Sequence, residues 1–427
     1  MQIAFLLGRF PSLSETFILN QITGLIDRGH EVDIYARKPG EGSKVHPDVD
    51  KYKLLDRVIY RDMPTNAVLR TLKGIRLAAG GLGRNPGAVF GSLNVVKHGR
   101  EASSLKLMYW AAAFLKRAKT YDIVHGHFGP NGLLAVALQN IGVIAPTAKI
   151  VTTFYGYDVH RYPRNHGQDV YRPLFDQGDL ILTLSEIMKQ DLVALGCPND
   201  KAIVHHIGTD VSRFCLSVRR PPTDGVVRLV SIARLVEKKG LEFAVQAVGK
   251  VSAAGQPVTY DIVGDGDLRG RLESLIRKLK LDGIVNLLGW KTQEEVVEIL
   301  SRAHLLLAPS ITAASGDQEG TPVALMEAMA IGLPVISTHH SGIPEMIRDG
   351  VCGYLVPERN TDALADKILE LARHPERWAE MGAAGRAIVE KEFDTQKLGD
   401  ELVGLYRRTL LSPPPMGTWG EGTGNTY

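Results

Sequence analysis

Ser315-Gly-Asp-Gln-Glu319-Gly-Thr-Pro-Val-Ala-Leu-Met-Glu327-Ala-Met-Ala-Ile-Gly332-Leu-Pro-Val-Ile-Ser-Thr-His-His-Ser-Gly-Ile-Pro-Glu345 is the stretch that organises the chain. Gly316 and Gly320 punctuate a polar loop. Thr321 is expected as a helix N-cap, with Pro322 at the first helical position, where its missing N–H costs nothing. From Val323 to Ile331 almost every side chain is apolar, which predicts a buried helix. Gly332 and Pro334 stop it, and Val335-Ile336-Ser337 reads as a short buried strand.

Two carboxylates interrupt this pattern, Glu319 just before the helix and Glu327 inside its apolar body. Desolvating a carboxylate without a partner is expensive, so one reading of Glu327 is a structural ion pair with a Lys or Arg. The other uses helix geometry. A helix N-terminus after a glycine-rich loop offers free N–H groups and a positive dipole to an anion, with Gly320, Thr321, Pro322 and Val323 at its mouth. Glu327 lies roughly 7–8 Å further along the axis, at about 1.5 Å per residue. That matches the distance from a pyrophosphate to a ribose, whose hydroxyls a carboxylate accepts. Glu319 would face whatever the phosphates carry, so the spacing suits a nucleotide-sugar.

Glu319-x7-Glu327, framed by Glu-Gly-Thr-Pro, Glu-Ala-Met-Ala and Gly-Leu-Pro-Val-Ile, resembles the signature of the retaining GT-B glycosyltransferases of family 4. The acidic pair alone would be weak; its glycine, proline and apolar frame makes it specific. The resemblance covers nearly all of residues 1–411. It implies an α/β fold of two Rossmann-like, doubly wound domains facing each other across a cleft. It also implies a nucleotide-diphosphate sugar donor, UDP- or GDP-linked, and neither a cofactor nor an obligatory metal.

Composition fits. At 427 residues the chain exceeds one typical core, so two domains are expected. A net charge of +3 implies no strong partner. Three scattered cysteines argue against a disulfide framework and suit a reducing compartment. No run approaches the ~20 apolar residues of a membrane span, and the N-terminus reads as a strand rather than a signal peptide. A cytoplasmic protein is expected.

Residues 2–7 form a strand, followed by a turn at Gly8 and a helix that Ser12 or Ser14 can cap. Val32 to Ala36 is the next strand, and this β-α-β opening predicts a parallel sheet with its ligand site at the strand C-termini. Phe10-Pro-x-Leu-Ser-Glu-Thr-Phe-Ile18 is similar to a subgroup of the family that builds exopolysaccharides of the colanic-acid type, which places the loop around Gly8 in the cleft.

Between Pro64 and Thr120 ten Lys and Arg residues face one acid, Glu101. Leu69, Leu72, Ile75 and Leu77, then Leu105, Met108, Trp110, Phe114 and Leu115, are interleaved with them. Basic amphipathic helices with an aromatic suit an anionic membrane surface, here the inner face of the cell membrane; an ordinary solvated basic face is the alternative. No nucleic-acid motif accompanies the charge.

Asp122 to Gly129 reads as a buried strand ending near Gly126, so His125 and His127 need not share an environment. A lone His here is ordinarily a satisfied core residue, and nothing at ligand spacing suggests zinc. The family's second His lies beside the sugar, which implies that role for His127. Tyr155-Gly156-Tyr157-Asp158 follows the next strand. The family usually has His-Gly-x-Asp, so Tyr155 is a departure, while Asp158 is carried over as a cleft residue.

The polar run Arg213 to Asp224 reads as a linker. After the next strand, Arg234 and Lys239 suit a diphosphate, the one as a fork and the other as a point charge, and the family places them at the leaving group. Asp265-x-Asp267 reads as a turn rather than a metal pair. Gly289 and Trp290 end another strand, where the family's backbone meets the base. The expected division is residues 1–212 and 213–395, a helix 396–411 crossing back to the first domain, and a disordered tail 412–427.

The resulting expectation is retaining transfer of a sugar to a saccharide acceptor, lipid-linked and held near residues 64–120, in cell-surface polysaccharide synthesis. A nucleotide-sugar epimerase and a non-catalytic scaffold are the alternatives.

Overall fold

The computed structural model describes residues 1–12, 15–40, 45–117 and 119–412. Two parallel sheets carry the chain. The first has seven strands, β1 (Gln2–Phe10), β2 (Glu31–Pro39), β3 (Val58–Tyr60), β4 (Ile123–His127), β5 (Lys149–Thr153), β6 (Leu180–Thr183) and β7 (Ala202–Val204), in the order β3-β2-β1-β4-β5-β6-β7. The second has six, β8 (Val227–Ile232), β9 (Val258–Val263), β10 (Val285–Gly289), β11 (Leu305–Ala308), β12 (Val335–Thr338) and β13 (Gly353–Val356), in the order β10-β9-β8-β11-β12-β13. The central strands are apolar runs buried on both faces, as parallel strands under helical layers must be, whereas the edge strands β3 and β10 are largely half-buried. Each sheet reverses direction once, between β1 and β4 and between β8 and β11. Parallel sheets bind ligands beyond the strand C-termini at such switch points.

β1 extends to Phe10 rather than stopping at Leu7, so Gly8 lies inside the strand, and a Cβ there would meet nothing within 4 Å. The helix Thr16–Asp27 starts after Glu15 with no side-chain cap; the expected cap Ser14 lies outside the described residues, as does the expected tail from Pro413 onward. The run 213–224 is not a free polar linker. Arg213 pairs with Asp48 at 3.0 Å and Asp210 at 2.9 Å, and Arg219 is buried, donating to the carbonyls of Ser301, Ala303 and Ile331.

The chain crosses between sheets twice. At the second crossing Thr209 N–H donates to Phe393 O (3.0 Å) and Thr395 N–H to Thr209 O (3.1 Å). The helix Thr395–Leu411 then returns to the first sheet, burying Leu402, Val403, Leu405 and Tyr406 among Ile3, Phe5, Ile18 and Ile22.

The basic segment divides. On the helix Lys106–Arg117, Met108, Trp110 and Phe114 are buried, so its apolar face is core. On the helix Ala67–Leu82 the apolar face is in solvent, with Val68, Leu69, Leu72 and Ile75 each 59–67% exposed. Lys73, Lys106, Arg117 and Lys119 are paired with Asp62, Glu101, Asp33 and Glu31, which leaves Arg70, Arg76, Arg84, Lys97 and Lys116 without ion pairs among the described residues.

Candidate active site between the two sheets

The two switch points face each other. From the second domain the loop after β11 runs from Ser310 to Thr321 and enters the helix Val323–Ala330. Pro322 is the N-cap, one residue later than the sequence suggests, and it has no side chain to satisfy the first turn. Thr321 is therefore not the cap. Its Oγ1 is buried without a hydrogen-bond partner. Lys239, Ser310, Pro322 and Ala324 line a small cavity between this helix start and the C-terminal ends of β8 and β11.

Glu319 Oε2 lies 2.7 Å from Lys239 Nζ, both side chains being mostly buried. Burial pushes the Glu319 carboxyl up, but Lys239, Lys238 and Arg234 outweigh it and hold it at about 2. Glu319 is thus ionised throughout the neutral range. Lys238 Nζ donates to Gln318 O at 3.1 Å and fixes the loop beside it. Arg234 is exposed and makes no hydrogen bond or ion pair among the described residues. It stands as an unused cation at the cleft mouth.

Glu327 sits on the second turn of the helix, partly exposed, and has no ion pair or side-chain hydrogen bond among the described residues. The structural ion pair is thereby removed as an account of it. Desolvation raises its carboxyl to about 7. A carboxylate left unpaired at such a cost is a strong sign of a site that a ligand completes.

From the first domain, His127 ends β4. Its ring stacks on that of His125, centroids 4.2 Å apart, so the two share one face of the strand after all. His125 is satisfied by Tyr406 and Thr153, both at 2.7 Å. His127 Nδ1 meets Tyr155 Oη at 2.6 Å, while its Nε2 is buried with no partner. Burial lowers the His127 ring to about 3, so the imidazole is neutral. Tyr155 thus supplies the hydrogen bond that orients it.

Asp158 does not reach the cleft. It is fully buried, and its oxygens accept from the N–H groups of Gly129 (2.9 Å), Tyr155 (2.9 Å) and Gly156 (3.0 Å). Its role is to shape the two loops that carry His127 and Tyr155. The domains touch here. A Cβ on Gly320 would lie 2.7 Å from Tyr155 O, and Gly156, at φ +123°, faces Gln318 O, so both positions require glycine. At the far end of the cleft Gly289 ends β10 at φ +69°, followed by Trp290, 56% exposed. Asp265 accepts from Gly266 N–H at 2.8 Å and lies 3.6 Å from Arg269, so it is occupied as a turn residue.

Two family descriptions match this chain: "Glycosyltransferase Family 4" over residues 14–213 and "Glycosyl transferases group 1" over residues 220–388. The amylovoran biosynthesis glycosyltransferase AmsK of Erwinia amylovora is 39% identical over 412 residues, covering 96% of this chain and 100% of the relative. The chain belongs to glycosyltransferase family 4. Its similarity to the colanic acid biosynthesis glycosyltransferase WcaL of Escherichia coli is 38% over 411 residues, covering 95% of this chain and 100% of that one. Anabaena HepE, solved in complex with UDP-glucose, superposes with a TM-score of 0.67 at 18% identity, covering 96% and 100% of the two chains, which shows a shared GT-B fold. As a family 4 glycosyltransferase, this protein moves a glycosyl group from a nucleotide-sugar.

Of the residues expected from sequence, Glu319, Lys239, Gly320, Thr321, Pro322, Val323 and Glu327 gather around one helix start, and Arg234 stands at its mouth. His127 approaches from the other domain, behind Tyr155. Sequence reasoning missed four participants. Lys238 sat beside its recognised neighbour. His340 and Glu358, which hydrogen-bond each other and, through His340, the Glu319 backbone, sit in polar runs that carry no signal of that pairing. Glu15 was also passed over: burial raises its carboxyl against the pull of Arg234 and Arg9.

Proposed function

We propose that the protein transfers a hexosyl group, with retention at the anomeric carbon and without an obligatory metal, from a UDP- or GDP-sugar to a lipid-linked saccharide. The observation that carries this reading is the uncapped start of the helix Val323–Ala330, flanked by the Lys239–Glu319 pair and followed by unpartnered Glu327. The diphosphate would lie against the helix start, Thr321 and Lys239, with Arg234 closing over it. Glu327 would accept from the ribose hydroxyls, and Gly289 and Trp290 would flank the base. Glu319 and His127 Nε2 would meet the sugar.

In the chemical step the acceptor oxygen bonds to the anomeric carbon while the bond from that carbon to the diphosphate breaks. The electron pair leaves on the diphosphate oxygen, which takes the acceptor's proton from the same face. Charge grows on the leaving group, and each preorganised donor aimed at it contributes on the order of 3–4 kcal/mol. Glu319 is held ionised by neighbouring cations and serves here as a hydrogen-bond acceptor for the sugar.

The reading of the acceptor draws support from the exposed stripe Val68, Leu69, Leu72 and Ile75, with Phe90 and Val96 exposed beyond it. Arg70, Arg76 and Lys97 flank it as unpaired cations. Apolar side chains that enter the interface and cations worth about 1 kcal/mol each at an anionic surface suit peripheral docking on the inner face of the membrane, where a lipid-linked acceptor is presented. Among the described residues no helix is long and apolar enough to cross a membrane. The relatives' names, for colanic acid and amylovoran, favour a role in exopolysaccharide assembly.

The test is a thermal-shift screen with UDP, GDP, ADP and CMP, with and without EDTA. Selective stabilisation by one diphosphate nucleotide, indifferent to EDTA, supports a metal-free donor site. Stabilisation abolished by EDTA, or absent with all four, overturns it.

A further inference from the structure

Glu358 holds both ends of the loop that delivers Glu319. At the near end its Oε2 accepts from Thr312 N–H at 2.9 Å, and its Oε1 lies 3.3 Å from Thr312 Oγ1. At the far end the same carboxylate meets His340 Nδ1 at 2.6 Å. His340 in turn accepts the Glu319 backbone N–H on Nε2 at 3.0 Å. The ring is 1% exposed, and the strand-end segment after β12 carries it.

The chemistry of this chain of contacts is fixed. A backbone N–H can only donate, so Nε2 must be the unprotonated nitrogen. Nδ1 then carries the proton and donates it to Glu358. That assignment makes His340 a rigid spacer between a carboxylate anchored on the segment after β13 and the backbone of Glu319. The Glu319 side chain is therefore fixed from two directions: its carboxylate by Lys239, its backbone by His340.

We propose that His340 and Glu358 are positioning residues for the donor sugar, acting through Glu319. This rests on the reading of Glu319 as the carboxylate that faces the sugar. Loop residues hold a productive geometry only when supported by a second set of hydrogen bonds, and losing such support loosens one contact without removing the site. The nucleotide itself, held by the helix start and Glu327, should be indifferent to it. The consequence is a selective loss: the sugar's share of donor affinity goes, and the nucleotide's share stays.

The experiment compares UDP with UDP-glucose and GDP with GDP-mannose on the full chain, by calorimetry, and measures the melting temperature of each variant. His340→Met fills the ring's volume and makes neither hydrogen bond. His340→Gln can accept from Glu319 N–H and donate to Glu358. The expected result is that His340→Met lowers nucleotide-sugar affinity about tenfold relative to the parent while nucleoside diphosphate affinity stays within twofold, and that His340→Gln recovers most of the loss. Glu358→Leu should repeat the loss and Glu358→Gln should spare it, which keeps the test open if His340→Met does not fold. Equal loss of both ligands, or no loss of either, overturns the proposal. Glu319→Gln separates the two readings. If it leaves the sugar increment intact, the assignment of Glu319 fails and this inference with it; if it removes the increment while His340→Met does not, only the positioning role fails.

Discussion

Glu345, on the second domain, accepts from the backbone N–H of Glu186, on the first, with both carboxylate oxygens, at 2.9 and 3.0 Å, and from Ile187 N–H at 3.2 Å. It thereby occupies the N-terminus of the helix Glu186–Ala194 across the domain boundary, where an anion is favoured by dipole and free N–H groups alike. Such a contact is worth about 1 kcal/mol and exists only while the cleft is closed. Glu345→Ala should shift the population toward a more open form, seen as a larger radius of gyration in solution scattering and a several-fold higher donor KM. Unchanged scattering would show that the other boundary contacts suffice.

Glu327 gives a pH signature. Its carboxyl is raised to about 7 in the empty site, whereas ribose hydroxyls would bind its ionised form. Donor binding should then release a proton, so affinity rises with pH, by about tenfold between pH 6 and 8, and levels above that. UDP-glucose is the suitable probe, because its phosphodiesters do not titrate in this range. Glu327→Gln should flatten the profile. For the empty protein the sign is the reverse: a raised carboxyl costs stability as pH climbs from the ordinary carboxylate range to about 7 and adds nothing beyond.

Lys239 is asked to stabilise the leaving group. Lys239→Ala should lower kcat about 100-fold, with a smaller change in KM. A change confined to KM would mean that the cation binds ground state and transition state equally. The variant also leaves Glu319 without its nearest cation, so its carboxyl should rise from about 2 and the folded protein should lose acid resistance. Stability that the ion pair contributes above the ordinary carboxylate range, and that normally fades as pH falls toward 2, would be missing throughout.

The exposed stripe makes a separable prediction. Leu72→Glu with Ile75→Glu should abolish co-sedimentation with vesicles of phosphatidylglycerol and phosphatidylcholine, without changing the circular dichroism spectrum. Both side chains are at least 60% exposed, so the fold has no stake in them. Retained vesicle binding would refute docking through this helix.

The fold was legible because parallel strands announce themselves as short apolar runs followed by glycine turns, and the Glu319 to Glu345 stretch carries its own punctuation. Boundaries were less so. Thr321 looks like a cap by type, but Pro322 adopts the extended cap conformation and leaves the hydroxyl free. The site was legible where one segment supplies several members, as around Glu319 and Glu327. It was illegible where partners meet from distant segments: nothing in sequence pairs His127 with Tyr155, or Thr312 with Glu358. Asp158 misled because a buried carboxylate serving three backbone N–H groups looks, in sequence, the same as one serving a substrate. Likewise the helices Ala67–Leu82 and Lys106–Arg117 are equally basic and apolar, and only packing decides which face meets water.

The paired crossings at Thr209 and Phe393 have a mechanical consequence. A single flexible connection would let the domains twist and slide as well as part. Two chain segments hydrogen-bonded side by side act as a hinge with one axis. The donor helix and His127 are then carried along one arc, and each opening returns them to the same register. Cutting the chain before Thr395 would turn that hinge into a tether.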